Sequence, residues 1–155
     1  MDQGALRAAR DLGLAIGGWA PPDLRSEAGP IDPRFGLRPT PEDRSPGAPD
    51  VPRSPRTEGN ARDPDACLVL HLGATPPADR GTRFAVVTAR RLGRPQLVLP
   101  VDSPNAVSRV RAFLVRVRPA VLGVGGPAES RAPGIEALTY RLLRAALSEP
   151  GGADP

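Results

Sequence analysis

Continuous apolar runs alternate with helical patterns over the second half of the chain. Three runs, at residues 66–70, 97–99 and 120–124, have the composition of strands that are buried on both faces. A segment with apolar residues at helical spacing follows each run. Such alternation is typical of a parallel sheet with helices on both faces. We therefore predict an α/β fold with three layers, in which a Rossmann-like, doubly wound and mostly parallel sheet lies between helices.

The first half of the chain is less regular. Residues 2–13 predict a short helix that ends at Gly13, and the apolar run at residues 14–16 predicts a strand. Ten prolines between residues 20–55 favour a long Pro-rich loop, because proline is excluded from helix interiors and central strands. We expect all of these segments to belong to one domain over residues 1–148.

Two segments are expected to lack regular structure. Residues 39–55 are predicted to be a flexible part of the Pro-rich loop, and residues 149–155 a disordered tail. Regular structure resumes at Thr57, which is predicted to cap one or two helical turns.

The composition excludes several classes of protein. One Cys and one His in 155 residues cannot supply a disulfide framework or a zinc site built from these residue types. No apolar run has the roughly 18 residues that a membrane span needs. Charged residues also interrupt the N-terminal segment, where a signal peptide needs an apolar stretch. We therefore expect a cytoplasmic protein without a membrane partner.

The basic charge does not by itself indicate nucleic acid. The net charge is +4, yet acidic residues are interspersed with the basic ones and no basic block forms. All 21 basic residues are Arg, and this bias, together with abundant Ala, Gly and Pro, is typical of a GC-rich genome. Nucleic acid is therefore not the expected partner.

Glycines follow the predicted strands at the edge where an open parallel sheet binds ligands. Gly17 and Gly18 follow the run at residues 14–16, and Gly126 follows the run at residues 120–124. Glycine allows a backbone to approach a phosphate or another oxyanion closely. The alternative is that these glycines only form turns.

Two further positions at this edge are candidates for ligand contact. Gly81 and Thr82 begin a predicted helix, whose N-terminus favours an anion. Trp19 is the only Trp and lies in a loop rich in Gly and Pro. Its indole could stack on a flat ligand, or it could pack over the edge of the sheet.

A polar cluster precedes the first of the buried strands. Arg56 could pair with a phosphate, and Glu58 and Asn60 could hydrogen-bond a ligand. The alternative is a solvated helix with a cap. Asp63 and Asp65 are only two residues apart, which favours a cap and a turn over a pair of catalytic carboxylates.

Catalytic residues are not visible in the sequence. His71, at the end of a predicted strand, is interpreted as structural in preference to a general base, and Cys67 as an inert residue of the core. Arg25, Glu27 and Glu129 lie in predicted loops and could face the same crevice. The dinucleotide-binding glycine pattern and the P-loop with its lysine are both missing from the sequence.

Several motifs, in order along the chain, resemble the family of putative molybdenum carriers. This family is a circularly permuted branch of the Rossmann-like SLOG superfamily, which includes the lonely-guy phosphoribohydrolases and the DNA-processing protein A fold. Residues 2–6 (DQGAL) resemble the end of a Gly-Gly-Gln-Thr-Gly-Val-Asp opening, and residues 17–31 (GGWAPPDLRSEAGPI) resemble a Gly-Gly-Trp-x-Pro loop with an Arg-x-Glu-x-Gly-x-Ile continuation. Residues 56–65 (RTEGNARDPD) resemble a segment with Arg-Thr-x-x-Asn and Asp-Ser-Asp. Residues 81–82 (GT) resemble the end of a Gly-Gly-Thr loop, and residues 126–135 (GPAESRAPGI) resemble the last motif.

The sequence departs from the family pattern at several places. The first strand of the family and its Gly-Gly-Gln-Thr-Gly turn do not precede Asp2, which predicts either a misassigned start codon or a degenerate member. Arg80 stands where the family has the first Gly of Gly-Gly-Thr, and Pro64 where it has the Ser of Asp-Ser-Asp. Loss of a central strand would leave two strand edges open.

The resemblance implies a carrier or binding role at the carboxyl ends of the strands. The implied ligand is a phosphorylated pterin such as the molybdenum cofactor (molybdopterin), or a nucleotide. An alternative implied by the superfamily is hydrolysis of the N-glycosidic bond of a nucleoside 5′-monophosphate, and a third is a truncated protein without a ligand. A homo-oligomer is compatible with the pattern, and no metal ligands are predicted. The predicted ligand contacts are Asp2, Gly17, Gly18, Trp19, Arg25, Arg56, Glu58, Asn60, Asp63, Asp65, Gly81, Thr82, Gly126, Glu129 and Ser130.

Overall fold

The structure, a computed structural model, describes residues 2–73 and 79–148. The predicted tail at residues 149–155 and the middle of the loop before Arg80 lie outside these ranges. The helices are α1 (Asp2–Asp11), α2 (Ser54–Arg62), α3 (Arg80–Arg91), α4 (Ala106–Val117) and α5 (Ile135–Leu147). The strands are β1 (Trp19–Ala20), β2 (Arg25–Ser26), β3 (Gly29–Pro30), β4 (Arg38–Pro39), β5 (Ala66–His71), β6 (Gln96–Pro100) and β7 (Leu122–Gly125).

The central sheet has the strand order β6-β5-β7, and both pairs are parallel. All six residues of β5 are buried, as the continuous apolar run predicts for the middle strand of a covered sheet. Leu68 lies between Leu97 of β6 and Val124 of β7, which fixes the register of the three strands.

Helices cover the sheet on both faces. On one face, Leu68 and Leu70 pack with residues of α1, α4 and α5, including Val110 and Ile135. On the other face, Cys67 packs with Ala61 of α2 and Ala89 of α3. The predicted three-layer α/β arrangement is therefore confirmed.

The first helix lies close against the last. A Cβ atom on Gly4 of α1 would overlap the carbonyl oxygen of Glu136 in α5. Seven residues further along, Asp11 accepts a hydrogen bond from the Tyr140 hydroxyl at 2.8 Å. These contacts follow both helices in the same direction, so α1 and α5 are parallel.

The strand predicted at residues 14–16 is wrong. Gly13 adopts a φ of +68°, and the N–H of Leu14 donates to Ala9, five residues back. This closes the helix end in the way that a C-terminal glycine favours. Residues 14–16 form no strand in the structure, because the backbone of Leu14 is used by the helix cap and the described strands do not pair with these three residues.

The predicted start of the second helix is also wrong. Helix α2 begins at Ser54, inside the segment predicted as a loop, and Pro55 lies in its first turn. Proline is favoured there because the first helical N–H groups have no partner within the helix. Thr57 is therefore internal, and its hydroxyl donates to the carbonyl oxygen of Arg53.

The Pro-rich loop is bonded to the helix that follows it. Ser45 and Ser54 are buried, and the N–H of Ser45 donates to the Ser54 hydroxyl at 2.8 Å. That hydroxyl in turn donates to the carbonyl oxygen of Ala48 at 3.2 Å. The flexibility expected for residues 39–55 stays a prediction.

Among the described residues, no helix is long and apolar enough to cross a bilayer.

Candidate ligand-binding site

The helices of the described chain begin at one end of the sheet. Helices α3, α4 and α5 each follow one of the parallel strands, so they start at the carboxyl ends of those strands. Helix α1 runs parallel to α5, as shown above. Helix α2 runs parallel to α3, because Arg94, just after α3, donates to the carbonyl oxygen of Arg62 at the end of α2, at 2.8 Å. Each helix start carries a partial positive charge, so this end of the sheet favours negatively charged groups.

Among the described residues, three buried polar atoms at this end have no hydrogen-bond partner: Arg56 Nε, His71 Nδ1 and Thr82 Oγ1. Arg56 lies in the first turns of α2, His71 is the last residue of β5, and Thr82 lies in the first turn of α3. A buried polar group without a partner costs about 1–3 kcal/mol. Such groups are rare in folded proteins, and a bound molecule is one explanation for them.

The side chains of His71 and Thr82 belong to the same interface. Side chains alternate along a strand, so His71 lies on the same face of the sheet as Cys67, the face that α2 and α3 cover. Thr82 is seven residues before Ala89 and so lies on the same side of α3, the side that packs against Cys67. The relative exposures of His71 and Thr82 are 5% and 3%.

Arg56 joins the starts of two helices. Its Nη1 donates to Asp2 Oδ2 of α1 at 3.0 Å. The side chain as a whole is 29% exposed, while its Nε atom is buried. The predicted contacts Asp2 and Arg56 are therefore brought together, and Arg56 keeps an unused donor.

The predicted contacts of the Trp loop are used within the protein. Trp19 and Asn60 are doubly bonded, since Trp19 N–H donates to Asn60 Oδ1 at 2.8 Å and Asn60 Nδ2 donates to the Trp19 carbonyl at 3.0 Å. Trp19 Nε1 also donates to Asp63 Oδ2 at 2.7 Å. A Cβ atom on Gly59 would overlap the indole ring. Trp19 therefore packs on α2, which favours the packing alternative over stacking on a ligand.

The hydrogen bonds of this cluster also lower the pKa of Asp63, and the cluster leaves no room for a side chain at position 18. Hydrogen bonds from Arg62 and then from Trp19 lower the pKa of Asp63 below its usual value. Arg38 lies over the indole, with its guanidinium carbon 4.4 Å from the ring centroid. Gly18 has a φ of +131°, and a Cβ atom there would lie 2.9 Å from Asn60 Oδ1, so a side chain does not fit.

Glu27 and Glu129 bind the loop after β7. The Ser130 hydroxyl and backbone N–H both donate to the Glu27 carboxylate, and these bonds lower the pKa of Glu27. Glu129 accepts from the backbone N–H groups of Glu136 and Gly134 at the start of α5, which lowers its pKa in turn. Glu129 thus acts as a helix cap, and Ser130 holds the loop at residues 25–30 against the end of β7.

Other predicted contacts have structural partners. Glu58 accepts from the Ser45 hydroxyl at 2.9 Å, and Asp65 accepts from the N–H of Val121 at 2.8 Å, just before β7 begins. The carbonyl oxygen of Arg25 accepts from Arg53 Nη1 at 2.9 Å. Gly17 and Gly126 lie in the connections before β1 and after β7.

The start of α3 contains a group that the sequence interpretation missed. Asp79 Oδ1 accepts from the N–H of Thr82 at 2.9 Å, so the first turn of α3 has a carboxylate cap. Gly81 has room for a side chain, since a Cβ atom would meet only Asp79 Oδ1 at 3.6 Å. The sequence signal for this cap was an Asp three residues before Thr82.

In the described ranges, no three His, Cys, Asp or Glu side chains are grouped to hold a metal ion.

The match to a family model decides the family. Residues 1–147 match the model of the circularly permuted YpsA SLOG family. The chain belongs to this family. A crystal structure of a putative molybdenum carrier protein from Syntrophus aciditrophicus SB is 25% identical, with a TM-score of 0.79 over 95% of this chain and 88% of that chain. The curated proteins contain no match to the chain. The family resemblance and the Rossmann-like fold are therefore confirmed.

Proposed function

We propose that this SLOG-family protein is a carrier that binds a small phosphorylated ligand, a pterin or a nucleotide, at the carboxyl ends of the sheet strands. The observation that supports it best is the group of unpartnered polar atoms on Arg56, His71 and Thr82. They belong to α2, β5 and α3, and each lies at a helix start or a strand end on the side of the sheet where such folds bind ligands.

Arg56 is the residue that we expect to hold the phosphate. A guanidinium group stays charged at every working pH, and its planar set of donors fits a phosphate. Asp2 Oδ2 accepts from its Nη1, while the buried Nε has no partner among the residues that the structure describes. A phosphate that reaches Nε would share the Arg with Asp2 or displace it.

The molybdenum cofactor is our first candidate for the ligand. The structural neighbour is named as a molybdenum carrier, and its similarity covers most of both chains. The hydrolase alternative needs an acidic residue, and Glu129 is the candidate. Its carboxylate accepts from two backbone N–H groups of α5, so this contact does not favour hydrolysis.

The first test is native mass spectrometry of protein purified from cells supplied with molybdate. A bound mass with the isotope pattern of molybdenum would support the cofactor, and the mass of a nucleotide would support the nucleotide instead. A folded protein without any bound mass is then titrated with AMP and with a phosphorylated pterin by calorimetry. Absence of binding to both would overturn the proposal.

Variants of Arg56 test the phosphate contact. Arg56→Gln should weaken AMP binding about tenfold or more, because a hydrogen bond to a charged group is lost. Arg56→Lys keeps the charge without the planar donors, so its affinity for AMP should lie between those of the wild type and Arg56→Gln. The matched control is Arg109→Gln on the exposed face of α4, which should bind as the wild type does. Equal affinity for wild type and Arg56→Gln would remove Arg56 from the site.

A further inference from the structure

The N-terminal cap of α3 is itself a carboxylate, while the two arginines of the first turn, Arg80 and Arg83, are exposed. Asp79 accepts from the N–H of Thr82 at 2.9 Å, directly before the first residue of the helix. A carboxylate at this position uses a free N–H and offsets the positive end of the helix. A phosphate placed here would lie beside that carboxylate and be repelled by it.

Two buried side chains at the interface of α3 with the sheet nevertheless have an atom without a hydrogen-bond partner in the described ranges. His71 and Thr82 are more than nine-tenths buried, and both face the interface of α3 with the sheet. The free atoms are an imidazole nitrogen and a hydroxyl oxygen, and each can donate or accept a hydrogen bond. A ligand atom that reaches them therefore needs no charge, and a group that both donates and accepts suits them best.

We propose that His71 and Thr82, beside Asp79, receive an uncharged hydrogen-bonding part of the ligand. Ribose hydroxyls and the amino and amide edge of a pterin have this chemistry. This inference rests on the proposed function and adds the orientation of the ligand, with its phosphate at Arg56 and its neutral part at the start of α3. It replaces the expectation that Gly81 and Thr82 hold an anion.

The distribution of charge supports this orientation. Arg56 is a cation in the first turns of α2, and its buried Nε has no hydrogen-bond partner among the described residues. Asp79 is the anion that caps α3, the neighbouring helix, while Arg80 and Arg83 of its first turn are exposed. Helices α2 and α3 are parallel, so their starts lie side by side at the same end of the sheet. A ligand with one anionic and one neutral end meets a matching group at each.

The single histidine allows a direct test. His71 is the only His, so protein labelled with ¹⁵N-histidine gives one pair of imidazole nitrogen resonances. We would titrate the whole chain with AMP, adenosine and inorganic phosphate, and in parallel with a phosphorylated pterin and its dephosphorylated form. The Nδ1 resonance should move with the ligands that have a neutral part, with or without the phosphate, and stay in place with inorganic phosphate.

Two results would overturn the orientation while leaving the binding function intact. One is a Nδ1 resonance that stays in place while calorimetry shows that AMP binds. The other is a Nδ1 resonance that moves with inorganic phosphate as it does with AMP. Absence of binding by all probes would overturn the proposed function itself, and the orientation with it.

Variants separate ligand contact from a structural role. Asn places an amide close to the position of imidazole Nδ1, so His71→Asn should keep most of the adenosine affinity, whereas His71→Leu should lose it.

Asp79→Asn keeps a good helix cap and removes the charge, and should raise the affinity for inorganic phosphate about fivefold. Asp43→Asn, at an exposed aspartate of the Pro-rich loop, is the control for the change in net charge. Unchanged phosphate affinity in Asp79→Asn would show that this carboxylate does not select the neutral group.

Discussion

At the scale of single residues, polar groups divide into those with partners and those without. Trp19, Asn60 and Asp63 satisfy one another, so their side chains hold the fold together. In the part of the chain that the structure describes, buried atoms of His71 and Thr82 have no partner, which is a cost to the stability of the fold. Residues of the second kind are the better candidates for ligand contact, because a ligand can supply what the protein does not.

Thr82→Val tests this division. The substitution replaces an unpartnered buried hydroxyl by a methyl group, so we expect the free energy of unfolding to stay equal or rise by about 1 kcal/mol. Ligand affinity should fall, since the hydroxyl is lost. Urea unfolding measures the first effect and calorimetry with AMP the second. Thr82→Ser, which keeps the hydroxyl, is the control. A Val variant that is much less stable than the Ser variant would mean that the hydroxyl has a partner.

A second prediction at this scale concerns the carboxylate of Asp63. Its pKa lies below the usual 3.8, first because of Arg62 and then because of Trp19. A lowered pKa stabilises the fold above the unfolded value, and this contribution is lost as the pH falls through the folded value. The melting temperatures of wild type and Asp63→Asn should therefore differ at neutral pH and approach each other below about pH 4. A constant difference down to pH 2 would contradict the shift.

At the scale of elements, spacing along the chain predicts some contacts and cannot predict others. Apolar runs identify β5, β6 and β7 because strands covered on both faces need apolar residues at every position. The run at residues 14–16 failed as a strand because pairing depends on a neighbour, which sequence spacing does not show. In the candidate site, Arg56 was proposed from the polar segment before β5 and Thr82 from its position at a predicted helix start. The free Nδ1 of His71 was not, because the absence of a partner is visible only in the packed structure.

The close approach of α1 and α5 gives a prediction at the scale of elements. Alanine normally stabilises a helix relative to glycine by up to about 1 kcal/mol. In Gly4→Ala the new methyl group would overlap the Glu136 carbonyl, so we expect a loss of about 1–3 kcal/mol instead. Gly81→Ala is the matched control in α3, where the added carbon meets only Asp79 Oδ1 at 3.6 Å. If both variants were equally stable in urea unfolding, the tight contact between α1 and α5 would be wrong.

At the scale of the whole molecule, the irregular first half is fastened to the sheet by a few side chains. Trp19 bonds the loop to α2, and Glu27 bonds the next part of that loop to Ser130 after β7. Helix α2 packs on α3 and, through Ala61, on Cys67 of the central strand. From these links we expect the loop to fold as one unit with the sheet, although its own strands have only two residues each.

The single Trp makes this cooperativity measurable. Trp19 fluorescence reports the loop and far-ultraviolet circular dichroism reports the helices, so one cooperative unit should give the same urea midpoint by both signals. Trp19→Phe removes the bond to Asp63 and should destabilise the whole protein by about 1–2 kcal/mol. Asp63→Asn keeps an acceptor for the indole and should cost less. A Trp19 transition at a distinctly lower urea concentration than the transition of the helical signal would show that the loop unfolds by itself. The carboxyl ends of the strands would then lose the cover of the loop while the core is still folded.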